Sequence, residues 1–398
     1  MKKTATALML AAALLLSACG APSEGLPSPE TTPPATAEPT PSPTPEPTPS
    51  PTPEPTPSPA EQALESMTLV EKVSQLLIVR PEALMGVSPV TVAGETTKSA
   101  LDAYPVGGFI YSLDNLVTRE QTLAMIDNAQ SYSDIPLFIS ADEEGGNVGR
   151  LMYKLGTTWV NDMYSYKDKG AQTAHDNAYT IGSDMAALHF NTDFAPVADV
   201  WTNPNNTVIG DRAYSDDFDQ AAELVSAAVQ GFHDAGIICS LKHFPGHGDT
   251  DTDTHTGAAT VDKSVAELMA GELKPFIAGI EAGADMVMIG HITMTAIDPE
   301  HPASLSFDVV TGLLREQLGW DGVVITDGLG MGALDGYDAG ERCVLALEAG
   351  VDILLGPDDV KTAVETIVAA VETGRLSEER IDESVLRVLE LKDAYLGL

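Results

Sequence analysis

The segment Gly236-Ile237-Ile238-Cys239-Ser240-Leu241-Lys242-His243-Phe244-Pro245-Gly246-His247-Gly248-Asp249 changes character halfway along. It begins with a short apolar run, 237–241, of the kind that forms a buried strand. At Lys242-His243 it turns polar, and the glycines and proline that follow rule out a regular helix or strand. The same sequence of events, a short Val/Ile-rich run and then a turn and a helical pattern, recurs on both sides. Strands are expected near 76–79, 106–111, 136–141, 191–195, 237–241, 284–289, 322–326 and 351–355. Amphipathic helices are expected over 171–188, 218–235, 265–282 and 343–349, and a last helix over 378–395 behind the N-cap Ser377. Eight β-then-α units of this length predict an α/β fold, a (β/α)8 TIM-type barrel, and not a doubly wound sheet.

In such barrels the chemistry sits at the C-terminal ends of the strands. The unusual polar residues fall there. Asp142 follows the third run, Lys242-His243 the fifth, His291 the sixth and Asp327 the seventh. The loop that continues from Lys242 to His255 holds three histidines after the strand and three aspartates, Asp249, Asp251 and Asp253. One reading is a metal site; the other is acid/base work by a pair such as Asp253 and His255. A barrel metallohydrolase would place His-x-His after its first strand, and this chain has Arg80-Pro81-Glu82, so no metal is expected. His247 and Asp249 taken singly read as turn caps. Asp327, followed by Gly328-Leu329-Gly330, is either a nucleophile whose small neighbours let a ring approach the backbone or a helix N-cap.

Taken together these segments resemble glycoside hydrolase family 3 in its β-N-acetylglucosaminidase branch. The resemblance runs from about Leu64 to Leu398 and rests on Asp142-Glu143-Glu144-Gly145-Gly146-Asn147-Val148-Gly149-Arg150, Asn203-Pro204 with Val208-Ile209-Gly210-Asp211-Arg212, the Lys242 to His255 loop, and Ile325 to Met331. The Asp-x-His element of the loop separates this branch from β-glucosidases of the same family. The resemblance implies Asp327 as nucleophile, His255 as general acid/base and Asp253 as its partner. Asp142, Arg150, Arg212, Lys242 and His243 match positions that bind the terminal sugar. Two departures stand out: Asp253-Thr254-His255 where Asp-Ser-His is usual, and Asn147 where Arg is frequent. Glu144 is the rival carboxylate, read beside Gly145-Gly146 as a structural hydrogen-bonding group.

The implied activity is removal of terminal β-linked N-acetylglucosamine with retention, through a glycosyl-enzyme on Asp327 and with no cofactor. Wall fragments or chito-oligosaccharides are the expected substrates. Alternatives are a β-glucosidase, a phosphorylase in which phosphate replaces water, and a carbohydrate-binding lipoprotein without activity.

The first residues speak to location. Lys2-Lys3, the apolar run 7–16 and Leu16-Ser17-Ala18-Cys19 form a short leader ending in a lipobox-like cysteine, so residues 1–19 are expected to be an export signal with Cys19 lipidated. Residues 20–60 are expected to be a Pro/Thr/Ser-rich linker in extended polyproline II form, typified by Pro41-Ser42-Pro43-Thr44-Pro45-Glu46. Residues 61–398 then form the barrel, held outside the cytoplasm on a lipid anchor and expected to act as a monomer. Cys239 and Cys343, both in apolar surroundings, read as packed thiols. With 21 Lys+Arg against 59 Asp+Glu the net charge is -38, which disfavours nucleic acid and direct docking on acidic lipid.

Overall fold

The computed structural model describes residues 57–255 and 257–398. The leader, Cys19 and most of the 20–60 linker lie outside the described residues. The first helix, Pro59–Ser66, starts just ahead of the boundary placed at residue 61. It is closed by a capping box in which Ser58 Oγ accepts from Glu61 N at 3.1 Å and Ser58 N donates to Glu61 Oε2 at 2.6 Å.

Eight parallel strands follow: β1 (Leu77–Val79), β2 (Gly108–Ile110), β3 (Phe138–Ala141), β4 (Thr192–Asp193), β5 (Ile238–Phe244), β6 (Met286–Ile289), β7 (Val323–Thr326) and β8 (Leu354–Leu355). Each hydrogen-bonds to the next in chain order, and β1 also pairs with β8 through Leu77↔Leu354 and Ile78↔Leu355. The last seam, β7 to β8, is made by the parallel bridge Ile325↔Ile353, which closes the barrel. The strands read as near-continuous apolar runs because both of their faces are buried, as in Leu77-Ile78-Val79 and Val323-Val324-Ile325.

Two elements differ from the sequence reading. β5 continues through Lys242 and His243 to Phe244, and both polar residues are buried. Carboxylates from other segments neutralise them, as described below, so their polarity does not end the strand. The helix expected over 265–282 is two helices, Val265–Ala270 and Leu273–Glu281. The break falls at Gly271, where a Cβ would come within 2.8 Å of the Phe218 ring. Elsewhere the amphipathic reading holds: helix Phe218–Asp234 is capped by Asp217 and buries Leu224, Val225, Ala228, Val229 and Phe232.

The C-terminal helix Glu378–Leu396 packs beneath the barrel and buries Lys392 completely. The Lys392 Nζ donates to Gln75 Oε1 and to the Gly107 carbonyl, each at 2.8 Å, and lies 4.9 Å from the Phe138 ring centroid. Burial pulls its pKa down from 10.5 to about 7. A depressed folded-state pKa gives stability that is present above 10.5 and lost as pH falls toward 7. Wild type should therefore gain stability over Lys392→Met as pH rises through that window, by on the order of 1.4 kcal/mol per unit. Urea midpoints of the two proteins measured in parallel across the window check this. Parallel pH profiles would remove the buried ammonium from the explanation.

Candidate active site

At the opposite end of the barrel, polar side chains converge from five strand ends. Asp142 leaves β3 and is followed by a tight hairpin, Glu143–Gly145 against Val148–Gly149. Glu143 caps helix Leu151–Leu155: it accepts from Leu151 N at 2.8 Å and Met152 N at 2.9 Å, and also from Arg150 N. Burial nonetheless pushes the Glu143 carboxyl above its usual range. Glu144 is buried with both oxygens occupied. Arg212 grips it in a fork, Nε to Oε2 and Nη2 to Oε1, both at 2.8 Å, and Lys242 Nζ reaches Oε1 at 2.6 Å. Burial opposes the Glu144 charge, but the Arg212 and Lys242 cations outweigh it and hold the carboxyl far below its usual range.

The same Lys242 donates to Asp142 Oδ1 at 2.8 Å, and Arg150 Nη2 stands 3.5 Å from Asp142 Oδ2. Among the described residues Lys242 thus has one ammonium N–H left over, and Arg212, which also donates from Nη1 to Val208 O at 2.9 Å, keeps two of its five. Arg150, Lys242, Asp142 and Arg212 are therefore one charge network. Asn147 sits at its exposed rim, donating to Asp211 at 3.3 Å.

His243 is buried beside Asp199, a residue that the sequence reading did not single out. Asp199 Oδ2 accepts from His243 Nδ1 at 2.7 Å and from His243 N at 3.2 Å, and its Oδ1 accepts from His247 N at 2.6 Å. Burial works against the Asp199 charge, but His243 and His247 overcome it and the carboxyl lies below its usual range. An ionised carboxylate can only accept, so His243 carries its proton on Nδ1. Its Nε2 makes no hydrogen bond among the described residues. Only position marks Asp199 in the sequence, since it lies just beyond the fourth strand run.

The loop after β5 is built around His247. Its Nδ1 meets Thr250 Oγ1 at 2.7 Å and its Nε2 meets Thr254 Oγ1 at 3.0 Å. Burial keeps the ring's pKa low. Asn206 braces the same turn, donating to His247 O at 2.7 Å, and Asn203 donates to Asp251 Oδ1 at 2.6 Å. Lys263 holds the loop's base through Asp249 at 2.8 Å and through Glu272. Gly248 has no room for a side chain, because a Cβ would stand 1.8 Å from the Val200 carbonyl oxygen. Thr254 supplies one of the two hydroxyls that His247 uses.

This scaffold presents Asp253 and His255 to solvent, their side chains 40% and 63% exposed. Asp253 Oδ1 accepts from both the backbone N, at 2.9 Å, and the ring Nδ1, at 2.8 Å, of His255. Burial opposes the Asp253 charge, but the His255 N–H groups more than compensate and the carboxyl lies below its usual range.

Asp327 leaves β7, pinned by its own N–H to Ile289 O on β6 at 2.9 Å, and its Oδ1 accepts from Gly328 N at 2.7 Å. Burial would raise its pKa, but His243, His291, the Gly328 N–H and Lys242 together lower it. His291, which the sequence placed at a strand end without a role, is buried. It donates from Nε2 to Gly328 O at 3.0 Å and meets Ser304 Oγ through Nδ1 at 2.7 Å. Two backbone hydrogen bonds tie the His255 loop to the chain beyond Asp327: Gly332 N to His255 O at 3.3 Å and Ala333 N to Thr254 O at 3.1 Å.

Comparison with known proteins places the barrel in a family. The glycosyl hydrolase family 3 N terminal domain matches residues 68–391. Beta-hexosaminidase A of Pseudoalteromonas piscicida is 34% identical over 322 residues, which cover 73% of this chain and 54% of that protein; the chain thus spans about half the relative's length. Beta-hexosaminidase LpqI of Mycobacterium tuberculosis is 34% identical over 337 residues, 82% of this chain and 83% of the relative. A family 3 beta-N-acetylglucosaminidase from Paenibacillus sp. FPU-7 superposes with a TM-score of 0.78 at 40% identity, covering 83% of this chain and 63% of that one. With the profile running along nearly the whole closed barrel and the relatives agreeing with it, the chain belongs to glycosyl hydrolase family 3.

Proposed function

We propose that this protein is an exo-acting, retaining β-N-acetylglucosaminidase that hydrolyses terminal non-reducing N-acetyl-β-glucosamine residues. One observation carries the reading: an imidazole held by its own carboxylate, Asp253–His255, stands on a loop whose backbone is bonded to the segment following Asp327. The names of the relatives support an N-acetylhexosaminide over a glucoside.

Asp327 attacks the anomeric carbon as the ionised carboxylate. His243, His291, the Gly328 amide and Lys242 favour that state against burial. Asp253 accepts the Nδ1 proton of His255, so the working proton is carried on Nε2. Protonated His255 gives that proton to the leaving oxygen as the glycosidic bond breaks. The glycosyl-Asp327 ester is then hydrolysed by water, whose proton returns to the neutral imidazole. The sugar hydroxyls meet Asp142, Arg150 and His243 Nε2, together with the remaining N–H groups of Lys242 and Arg212. Peptidoglycan fragments or chito-oligosaccharides supply the sugar, and lipid on Cys19 holds the enzyme on the outer side of the bacterial cell membrane.

Asp327→Ala should lower kcat by about 10⁴-fold or more on every substrate. His255→Ala should cost about 10²–10⁴-fold on chitobiose and much less on an activated aryl N-acetylglucosaminide, whose leaving group needs no proton. Gly248→Ala displaces the same loop without touching the pair, and should reproduce the His255→Ala pattern in weaker form. Steady-state kinetics on the two substrates decide the matter. Equal loss on both in His255→Ala would sink the assignment of the acid.

A further inference from the structure

At the floor of the barrel, remote from the mouth, three different donor atoms meet. His233 lies in the last turn of helix Phe218–Asp234, Cys239 lies near the start of β5, and Asp285 immediately precedes β6. His233 Nε2 is 3.1 Å from Asp285 Oδ2 and 3.8 Å from Cys239 Sγ, and the three donor atoms all lie within 4.8 Å of one another. We propose that His233, Cys239 and Asp285 bind one zinc ion, with water in the fourth position.

The geometry is close to what a tetrahedral ion needs. Bonds of about 2.0–2.3 Å to nitrogen, oxygen and sulfur place neighbouring ligands about 3.3–3.6 Å apart. The two separations from His233, 3.1 and 3.8 Å, bracket that range, and the Cys239 and Asp285 donor atoms stand within 4.8 Å of each other. A thiolate with an imidazole and a carboxylate is a zinc set; calcium and magnesium prefer oxygen alone. One ligand is already oriented by its surroundings, because the Cys239 N–H donates to Asp285 Oδ2 at 2.9 Å. Cys239 is buried and the Asp285 side chain is 7% exposed, while the His233 side chain is 22% exposed and gives the ion its way in. On binding, the Cys239 thiol loses its proton to solvent and His233 enters neutral, so affinity falls on acidification.

The role is structural. β5 carries Cys239 at its lower end and His243 at its upper end, and at about 3.3 Å per residue the two ends stand on the order of 13 Å apart. The ion would fasten the end of one helix to two neighbouring strands where the barrel rests on its C-terminal helix; Tyr395 of that helix packs beside His233 with ring centroids 6.3 Å apart. The rival account is a hydrogen-bonded cluster without metal, in which Asp285 simply pairs with His233 and holds the Cys239 amide.

The test uses the full chain, stripped with chelator, dialysed against zinc and assayed for bound metal. Wild type should retain one ion per chain, and zinc should raise its thermal midpoint. With cobalt in place of zinc, a near-ultraviolet sulfur-to-cobalt band should appear. That band should persist in Cys19→Ser and Cys343→Ser and vanish in Cys239→Ser, whose hydrolysis of an aryl N-acetylglucosaminide should remain at the wild-type level. Should Cys239→Ser fail to fold, His233→Gln serves as the second variant and should weaken binding at least tenfold. No metal above background, or a cobalt band that survives in Cys239→Ser, overturns the site and leaves the hydrogen-bonded cluster.

Discussion

A single buried carboxylate, Asp199, sets the geometry of the mouth. It takes donors from both sides of the Phe244-Pro245-Gly246 corner: the backbone and ring of His243 before it, and the backbone of His247 after it. Where those donors end up decides where β5 stops and how its loop departs. His247 then fixes Thr250 and Thr254 through its two ring nitrogens, and Thr254 lies between Asp253 and His255. The exposed pair is thus held by a chain of short contacts that begins at a residue it never touches. Such a chain is needed because an isolated surface loop carrying three aspartates would otherwise be ordered only by weak, solvent-screened contacts.

The barrel was legible in the sequence because its strands are buried on both faces. Val323-Val324-Ile325 and Leu77-Ile78-Val79 stand out as short apolar runs against amphipathic helices, whatever their partners. The polar residues at the strand ends were legible for the same reason, each marking the point where an apolar run stops. Less legible was anything set by an approach between distant segments. Asp199 and Asn206 carry no local signal; their importance comes from meeting His243 and His247 across the fold. Gly271 stands at the helix break, where the Phe218 ring leaves no room for a Cβ. Lys242 and His243 look like a strand's end, yet remain within β5, because Asp142, Glu144 and Asp199 arrive from elsewhere to neutralise them.

The two ends of the barrel divide the work between them. At the floor, Asp352 takes Arg315 at 2.6 Å, Ser384 at 2.6 Å and the Val324 amide at 2.9 Å, and Lys392 donates to Gln75 Oε1 and the Gly107 carbonyl. At the mouth, Lys242 and Arg212 carry more N–H groups than their partners among the described residues use, in a protein whose net charge is -38. Lys242 and Arg212 are tied firmly enough to stay fixed while keeping N–H groups for a ligand. Fixed donors of that kind bind hydroxyls without losing much rotamer entropy on binding, which is the benefit of preorganisation. It depends on a floor stable enough to bear charges packed into the barrel's other end.

The proposed mechanism also explains why a histidine with its own aspartate suits a site whose nucleophile is a carboxylate. Two carboxyl groups facing one pyranose would disfavour each other's charge, so one of them has to be held protonated by its surroundings. A protonated imidazole opposite Asp327 makes the reactive state an attraction instead. In the proposed step the sugar moves onto Asp327 and its negative charge disappears as His255 gives up its proton, so both charges vanish together. Hydrolysis of the ester restores both. The surrounding charges, Lys242 and Arg212 with Asp142, Glu144, Asp199 and Asp253, keep their protonation throughout. They need no rearrangement while the two reacting groups change, and that constancy is what a preorganised electrostatic site requires.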